Sequence, residues 1–198
     1  MPKIVDGDER REFIARIAAE VIATEGIERA TIREIARQAG ATRGLVEHHF
    51  RSKAEVIEKA LDWLNRRYLL REQRVLQGKQ GLAALEARIR CFLPISPAAR
   101  REWRLRLRFW SSNDPQVQAV QRKRLAETRR LFCDDIVSAV ALGQMPSPAD
   151  PLLSAERLLS RVAGLSAQAV VDRHHYTSDH LLAELSCMMD ELRQGRPM

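Results

Sequence analysis

The chain has 198 residues and a mass of 22.6 kDa, with 45 % apolar and 30 % charged residues. That balance supports one sizeable core or two small domains, and it excludes a disordered chain. No stretch approaches the ~18–20 uninterrupted apolar residues a bilayer demands. The opening MPKIVDGDERRE lacks an apolar secretory core, so the expected compartment is the cytoplasm and no membrane partner is expected. The net charge of +7 is unevenly spread: residues 66–130 carry 17 Lys/Arg against 5 Asp/Glu, and residues 131–198 carry 5 against 9. Bulk basicity suits nucleic acid without naming the segment that binds it.

Periodicity is helical almost throughout, so the expected fold class is all-α with nine helices. Phe13, Ile14, Ile17, Ala18, Val21 and Ile22 form one stripe, predicting an amphipathic helix over about 8–25 that stops at Gly26. Thr31-Ile32-Arg33-Glu34 reads as a capping box, the Thr hydroxyl taking a backbone N–H and the Glu reaching back. It opens a helix over about 32–39 that ends at Gly40. Thr42 then caps a short helix over about 43–49, and a second box, Ser52-Lys53-Ala54-Glu55, opens a long helix to about residue 76. A helix over about 82–93 follows. Ser96-Pro97, Asp114-Pro115 and Asp150-Pro151 each pair a capping side chain with a proline at the first helical position. They predict helices over about 98–112, 115–142 and 151–174. Ser178 is expected to cap a last helix over about 179–193. The odd, widely spaced Cys91, Cys133 and Cys187 form no CxxC and read as small buried hydrophobes.

The informative stretch is ATIREIARQAGATRGLVEHHFRSKAE, residues 30–55. Two short helices joined by a tight glycine turn have the helix-turn-helix spacing, a unit that lays its second helix in the major groove. The short helix packs poorly: Val46 and Phe50 can bury, while Thr42, Arg43, Glu47, His48 and His49 are polar. Thr31-Ile32-Arg33-Glu34-Ile35-Ala36, Ala39-Gly40, Arg43-Gly44, His48, Phe50 and Ser52-Lys53 together resemble the DNA-binding signature of TetR-type transcriptional repressors. The resemblance is close over about residues 10–60.

It implies a helix-turn-helix DNA-binding domain over 1–52 and an effector-binding and dimerisation domain over 53–198, with helix 53–76 as connector. It also implies a homodimer whose two heads read a palindromic operator in double-stranded DNA. The residue roles follow from side-chain chemistry. Thr31 and Arg33 suit phosphate. The resemblance supplies the orientation: in the family the start of the short helix points at bases, which maps onto Thr42, Arg43, Gly44 and Leu45. Arg43 can then fork onto guanine, Gly44 admits close backbone approach, and Leu45 can meet a thymine methyl. His48, His49 and Lys53 are placed for backbone contact. Glu47 stands where the family often has tyrosine. It either points at a cytosine amino group or is held by Arg43 or Arg51.

Glu102-Trp103, Phe109-Trp110, Asp114-Pro115 and Ala163-Gly164-Leu165 are similar to the BetI-type branch, whose named members include choline-responsive repressors. A cage for a quaternary ammonium needs several ring faces, and aromatics are only 5 % of the chain. Trp103, Arg106, Leu107 and Trp110 fall on one helical face and are the candidate ligand-binding residues. Lining a pocket there, Arg106 would favour a carboxylate or phosphate; alternatively Trp103, Leu107 and Trp110 are core and Arg106 reaches solvent. Arg100, Arg101, Arg104 and Arg108 read as a solvated face; Arg66, Arg67, Arg71 and Arg74, where exposed, would lend attraction toward DNA.

The family's homodimer interface maps onto helices 151–174 and 179–193, with Ala163, Gly164, Ser166 and Ala167 allowing close approach. His174, His175 and His180 lack regular ligand spacing, so no metal is expected. No nucleophile–base pair, Gly-rich phosphate loop or HExxH is visible, so neither catalytic residues nor a cofactor are expected. The leading function is an effector-responsive transcriptional regulator, most often a repressor in this family. The alternatives are a helical small-molecule-binding module with lost or altered DNA recognition, and a small all-helical enzyme.

Overall fold

The computed structural model describes residues 7–196. Among them are nine α-helices and no strand: α1 Gly7–Glu25, α2 Ile32–Gln38, α3 Arg43–His49, α4 Lys53–Leu76, α5 Gly81–Phe92, α6 Pro97–Trp110, α7 Pro115–Ala141, α8 Pro151–Val171 and α9 Ser178–Arg193. The chain divides into two compact units, one of residues up to Leu69 with Arg104–Val120, the other of Leu70–Trp103 with the residues from Gln121 on. The boundary passes within α4, α6 and α7.

In the first unit, the head, α1 supplies Ile14, Ile17, Ala18, Val21 and Ile22 to a core that also takes Ile35 and Ala36 from α2, Val46 from α3, and Phe50. Val56, Ile57, Ala60 and Leu61 of α4 and Leu105 and Phe109 of α6 close it. Ile14, Ile22, Ile35, Val46 and Phe109 are each 0 % exposed. Removing such side chains from water, at about 1.5–3 kcal/mol each, is the main force holding helices this short, which would not persist alone. Between α2 and α3 the chain reverses at Gly40, whose φ of +60° lies in the left-handed region where a Cβ is strained.

The caps form, with one correction to both boxes. Thr31 accepts from the Glu34 N–H at 3.2 Å, Thr42 from the Leu45 N–H at 3.2 Å, and Ser52 from the Glu55 N–H at 3.1 Å. The reciprocal carboxylate bonds do not. Glu34 turns forward to Arg37 and Gln38, and Glu55 accepts instead from the Arg51 N–H at 2.7 Å and from Arg11. At Glu34 the Arg37 cation one turn away outcompetes a neutral N–H, because ion-paired bonds are the stronger kind. Glu55 still reaches back to a backbone N–H, but to that of Arg51, one residue before the cap.

In the second unit, Asp150 caps α8 by accepting from the Leu152 and Leu153 N–H groups. Helix α8 stops three residues short of the expected end. The Asp172 carboxylate accepts from the His174 and His175 N–H groups at 3.2 and 3.0 Å, a local turn that competes with the helix. Arg100 was expected to be solvated; instead it donates to the carbonyls of Ala169 and Tyr176 at 2.8 and 3.0 Å, tying off the end of α8. The N-cap of α9 is Thr177, not Ser178: Thr177 accepts from the His180 N–H, while the Ser178 hydroxyl donates to the Ile95 carbonyl.

Arg71 is also no solvated cation. It holds Glu102 at 2.9 Å and donates to Cys91 Sγ at 3.2 Å. Arg88 lies between Glu72 at 3.0 Å and Asp135 at 2.8 Å, all three buried. The cysteines are free and less buried than expected, Cys91 and Cys133 half-buried and Cys187 exposed.

Candidate nucleic-acid interface

Helix α3 has seven residues and one buried side chain, Val46. With Val46 and Phe50 pointing inward, Arg43, Gly44, Glu47 and His48 are left exposed, as is the capping Thr42; Leu45 and His49 are half-buried. A helix that buries one residue in seven contributes little to the core, and its outward face is charged and hydrogen-bonding. Thr31 and Arg33, at the start of α2, are exposed as well. Gly44 has open space where a Cβ would stand, so nothing inside the chain requires glycine there.

Glu47 is bound by Arg43, whose Nε donates to Oε1 at 2.7 Å one helical turn away. Of the expectations for this carboxylate, retention by Arg43 is therefore what the free head displays. Glu34 is held down to about pKa 2 by the Arg37 guanidinium and then by Gln38, so it stays charged and occupied in neutral solution. Lys53 donates to the Glu28 carbonyl at 3.3 Å, tying the start of α4 to the segment before α2.

Sequence reasoning missed Arg11. From α1 its guanidinium donates to the His49 carbonyl at the end of α3 and to Glu55 of α4 at 2.6 Å, and lies 4.8 Å from the centre of the Phe50 ring. One side chain thus fixes how α3 leaves the core. The signal was the adjacency of Arg11 to the apolar stripe beginning at Phe13. His49 is pushed below the usual histidine range, first by burial and then by His48, Arg11 and Arg10.

The α6 candidates fall in different units. Trp103, in the second unit, is 2 % exposed, donates its indole N–H to the Phe92 carbonyl and packs edge-on against that ring at 5.0 Å. In the head unit, Arg106 lies 5.4 Å from the Tyr68 ring centre, and Leu107 and Trp110 are half-buried. His175 and His180 have ring centroids 5.1 Å apart beside Tyr176.

Known proteins resolve what this geometry belongs to. The family model described as bacterial regulatory proteins, tetR family, matches residues 14–60, and that of the BetI-type transcriptional repressor C-terminal region matches residues 82–194. The chain belongs to the TetR family. Its relatives include the HTH-type transcriptional regulator BetI of Yersinia pestis, 27 % identical over 199 residues covering 92 % of this chain and 91 % of that protein. A transcriptional regulator from Rhodococcus sp. superposes with a TM-score of 0.82 at 28 % identity, covering 93 % of this chain and 96 % of the other. A regulator from Saccharomonospora viridis solved with choline gives 0.84 over 92 % and 96 % of the two chains; at 22 % identity this likeness concerns the fold. As a TetR-family member with a BetI-type C-terminal region, the chain is a transcriptional regulator with a helix-turn-helix head. Among the described residues no helix is long and apolar enough to cross a membrane.

Proposed function

We propose that the chain is a cytoplasmic, effector-responsive repressor that occupies a palindromic DNA operator as a homodimer and is released by a small molecule. The observation that carries this is the outward face of α3, where Thr42, Arg43, Gly44, Glu47 and His48 are exposed around a single buried Val46. On this reading Thr42, Arg43, Gly44 and Leu45 face base edges, with Glu47 holding Arg43 beside them, while Thr31, Arg33, His48, His49 and Lys53 meet the sugar–phosphate backbone. Selection from a random duplex library with the purified protein tests it. The expected result is a two-fold palindrome with half-sites about one helical turn, ~34–36 Å, or a multiple of it apart. Enrichment of no sequence would leave the alternative, a ligand-binding module without DNA recognition.

Helices α8 and α9 are proposed as the dimer interface. The support is apolar surface left on α8, where Leu152, Leu153 and Val171 are 53 %, 40 % and 86 % exposed, beside the small residues Ala163, Gly164 and Ala167. An isologous interface of this kind matches a palindrome. For the effector, Arg106, with Leu107 and Trp110 on the same face, favours an anionic ligand, whereas Trp103 is committed to the Phe92 carbonyl as a structural brace. Release requires the effector to prefer one spacing of the two heads, transmitted through α4. Titration of candidate carboxylates against wild type and Arg106→Leu checks the site; equal affinity for both removes Arg106 from it.

A further inference from the structure

Arg43 and Glu47 form an ion pair on the outward face of α3. Resting on the DNA-binding role proposed above, we propose that Glu47 is a positioning residue that holds Arg43 for end-on recognition of a guanine, giving each half-site one obligatory G·C pair. Glu47 stands one turn after Arg43, the first residue of α3, and the bond between them uses the Nε edge of the guanidinium at 2.7 Å. A guanidinium carries two hydrogen-bonding edges. With Nε given to Glu47, the Nη1/Nη2 end can supply two parallel donors that match the O6 and N7 acceptors of guanine in the major groove. Both side chains are substantially exposed, 71 % for Arg43 and 46 % for Glu47, so the pair stands where a duplex would meet it.

The carboxylate also repels phosphate. A free arginine on this face would settle on the backbone of any DNA, where it adds affinity without sequence information. Tied to Glu47, it loses rotameric freedom before DNA arrives, and the cost of leaving that arrangement for a phosphate includes an unpaired acid. Two effects of opposite sign follow from one residue: Glu47 strengthens discrimination and weakens indiscriminate binding. Simple relief of repulsion would instead raise affinity for every sequence alike.

The experiment uses the full-length protein. An operator is first obtained by selection from random duplex DNA, and affinities are then measured for that operator, for every single-base-pair variant of one half-site, and for unrelated DNA. Glu47→Ala is expected to lower the preference for one guanine about tenfold and raise affinity for unrelated DNA. Glu47→Gln, whose amide oxygen still accepts from Nε, is expected to retain most of the preference. Arg43→Ala should lose the preference at the same position, and adding Glu47→Ala to it should change base preference no further, a double-mutant cycle that isolates action through Arg43.

Additive losses in the double variant would mean that Glu47 reads a base itself, and an unaltered preference in Glu47→Ala would mean it reads nothing; either overturns the proposal. Circular dichroism of each variant secures the fold. If the wild-type protein selects no sequence, the DNA-binding role fails instead, so the two failures are distinguishable.

Discussion

In the head, most ion pairs join residues one helical turn apart at the surface, as in Arg16–Glu20, Arg37–Glu34 and Arg43–Glu47. In the second unit the more buried ones join different helices, Arg71 to Glu102, Arg88 to Glu72 and Asp135, Arg161 to Glu184 and Glu191, while Arg130–Asp134 and Arg193–Asp190 are local and exposed. Local surface pairs contribute little to stability and leave charge within reach of a polyanion. Long-range pairs act as tethers and withdraw charge from the outside. The most basic stretch of the sequence, residues 66–130, therefore overstates what DNA would feel, since Arg71, Arg88 and Arg100 within it are committed internally. The proposed reading face lies instead within the nearly neutral first 53 residues.

The largest test of that contrast is Arg88→Met. Removing the cation leaves the buried Asp135 carboxylate without the guanidinium that holds it at 2.8 Å, and breaking a buried pair in this way typically costs about 3–5 kcal/mol. Arg43→Met, at a surface pair, should change stability by no more than about 0.5 kcal/mol. Urea unfolding of both variants, followed by tryptophan fluorescence, gives the two numbers. Comparable losses would break the contrast between tethering and surface charge.

Arg11 departs from that pattern within the head, since its partners His49 and Glu55 lie far along the chain; Arg66 and Glu12, 3.9 Å apart at the surface, are a looser second case. Its side chain is about one-third exposed, with Glu55 a quarter exposed, so solvent screens the ion pair. Adding the carbonyl bond and the Phe50 contact, Arg11→Met should cost about 1–2 kcal/mol. The same variant should weaken operator binding, because the exit of α3 is no longer held. A stability loss with unchanged binding would separate Arg11 from the reading face.

How far the sequence was legible follows the same division. Caps at Thr31, Thr42, Ser52 and Asp150 and the reversal at Gly40 are local chemistry, and the structure has them where the residues imply. The outward face of α3 was legible because seven residues offer few apolar side chains to bury. The destinations of the arginines were not, since a tether depends on which distant helix arrives opposite. Some signal was present: Arg88 interrupts the stripe Leu85, Ile89, Phe92, and Asp135 interrupts Phe132, Ile136, Ala139. A cation and an acid each placed on an apolar face point to a buried pair. The end of α8 had a local signal in Asp172, whereas its tether to Arg100 from another helix is something no local pattern announces.

A smaller effect separates stability from recognition at Gly44. Its position is helical, exposed and empty where a Cβ would be. Gly44→Ala should stabilise the head by about 0.5–1 kcal/mol through helix propensity, while lowering operator affinity because the methyl stands where the backbone would approach DNA. Thermal melting and gel shift measure the two quantities on one variant. If stability and affinity rise together, close approach of a duplex at Gly44 is wrong.

The smallest effect is a pH dependence carried by the head. His49 is half-buried, near His48, Arg11 and Arg10, and burial followed by those like charges lowers its pKa below the ordinary histidine value of 6.5. A depressed histidine binds protons more readily unfolded than folded, so stability rises with pH through this window. The penalty begins as pH falls through the unfolded value near 6.5 and is complete below the folded value. Glu55, lowered by the Arg51 N–H and then by Arg11, acts in the same sense but further into acid, its contribution lost as pH falls through its folded pKa. Melting temperature should therefore drop modestly between pH 7.5 and pH 5.5, where the carboxylate of Glu55 is still ionised, and His49→Gln should flatten that drop. Should the variant melt with the same pH slope as wild type, the titrating group lies elsewhere, and the His49 ring is not what couples the end of α3 to protons.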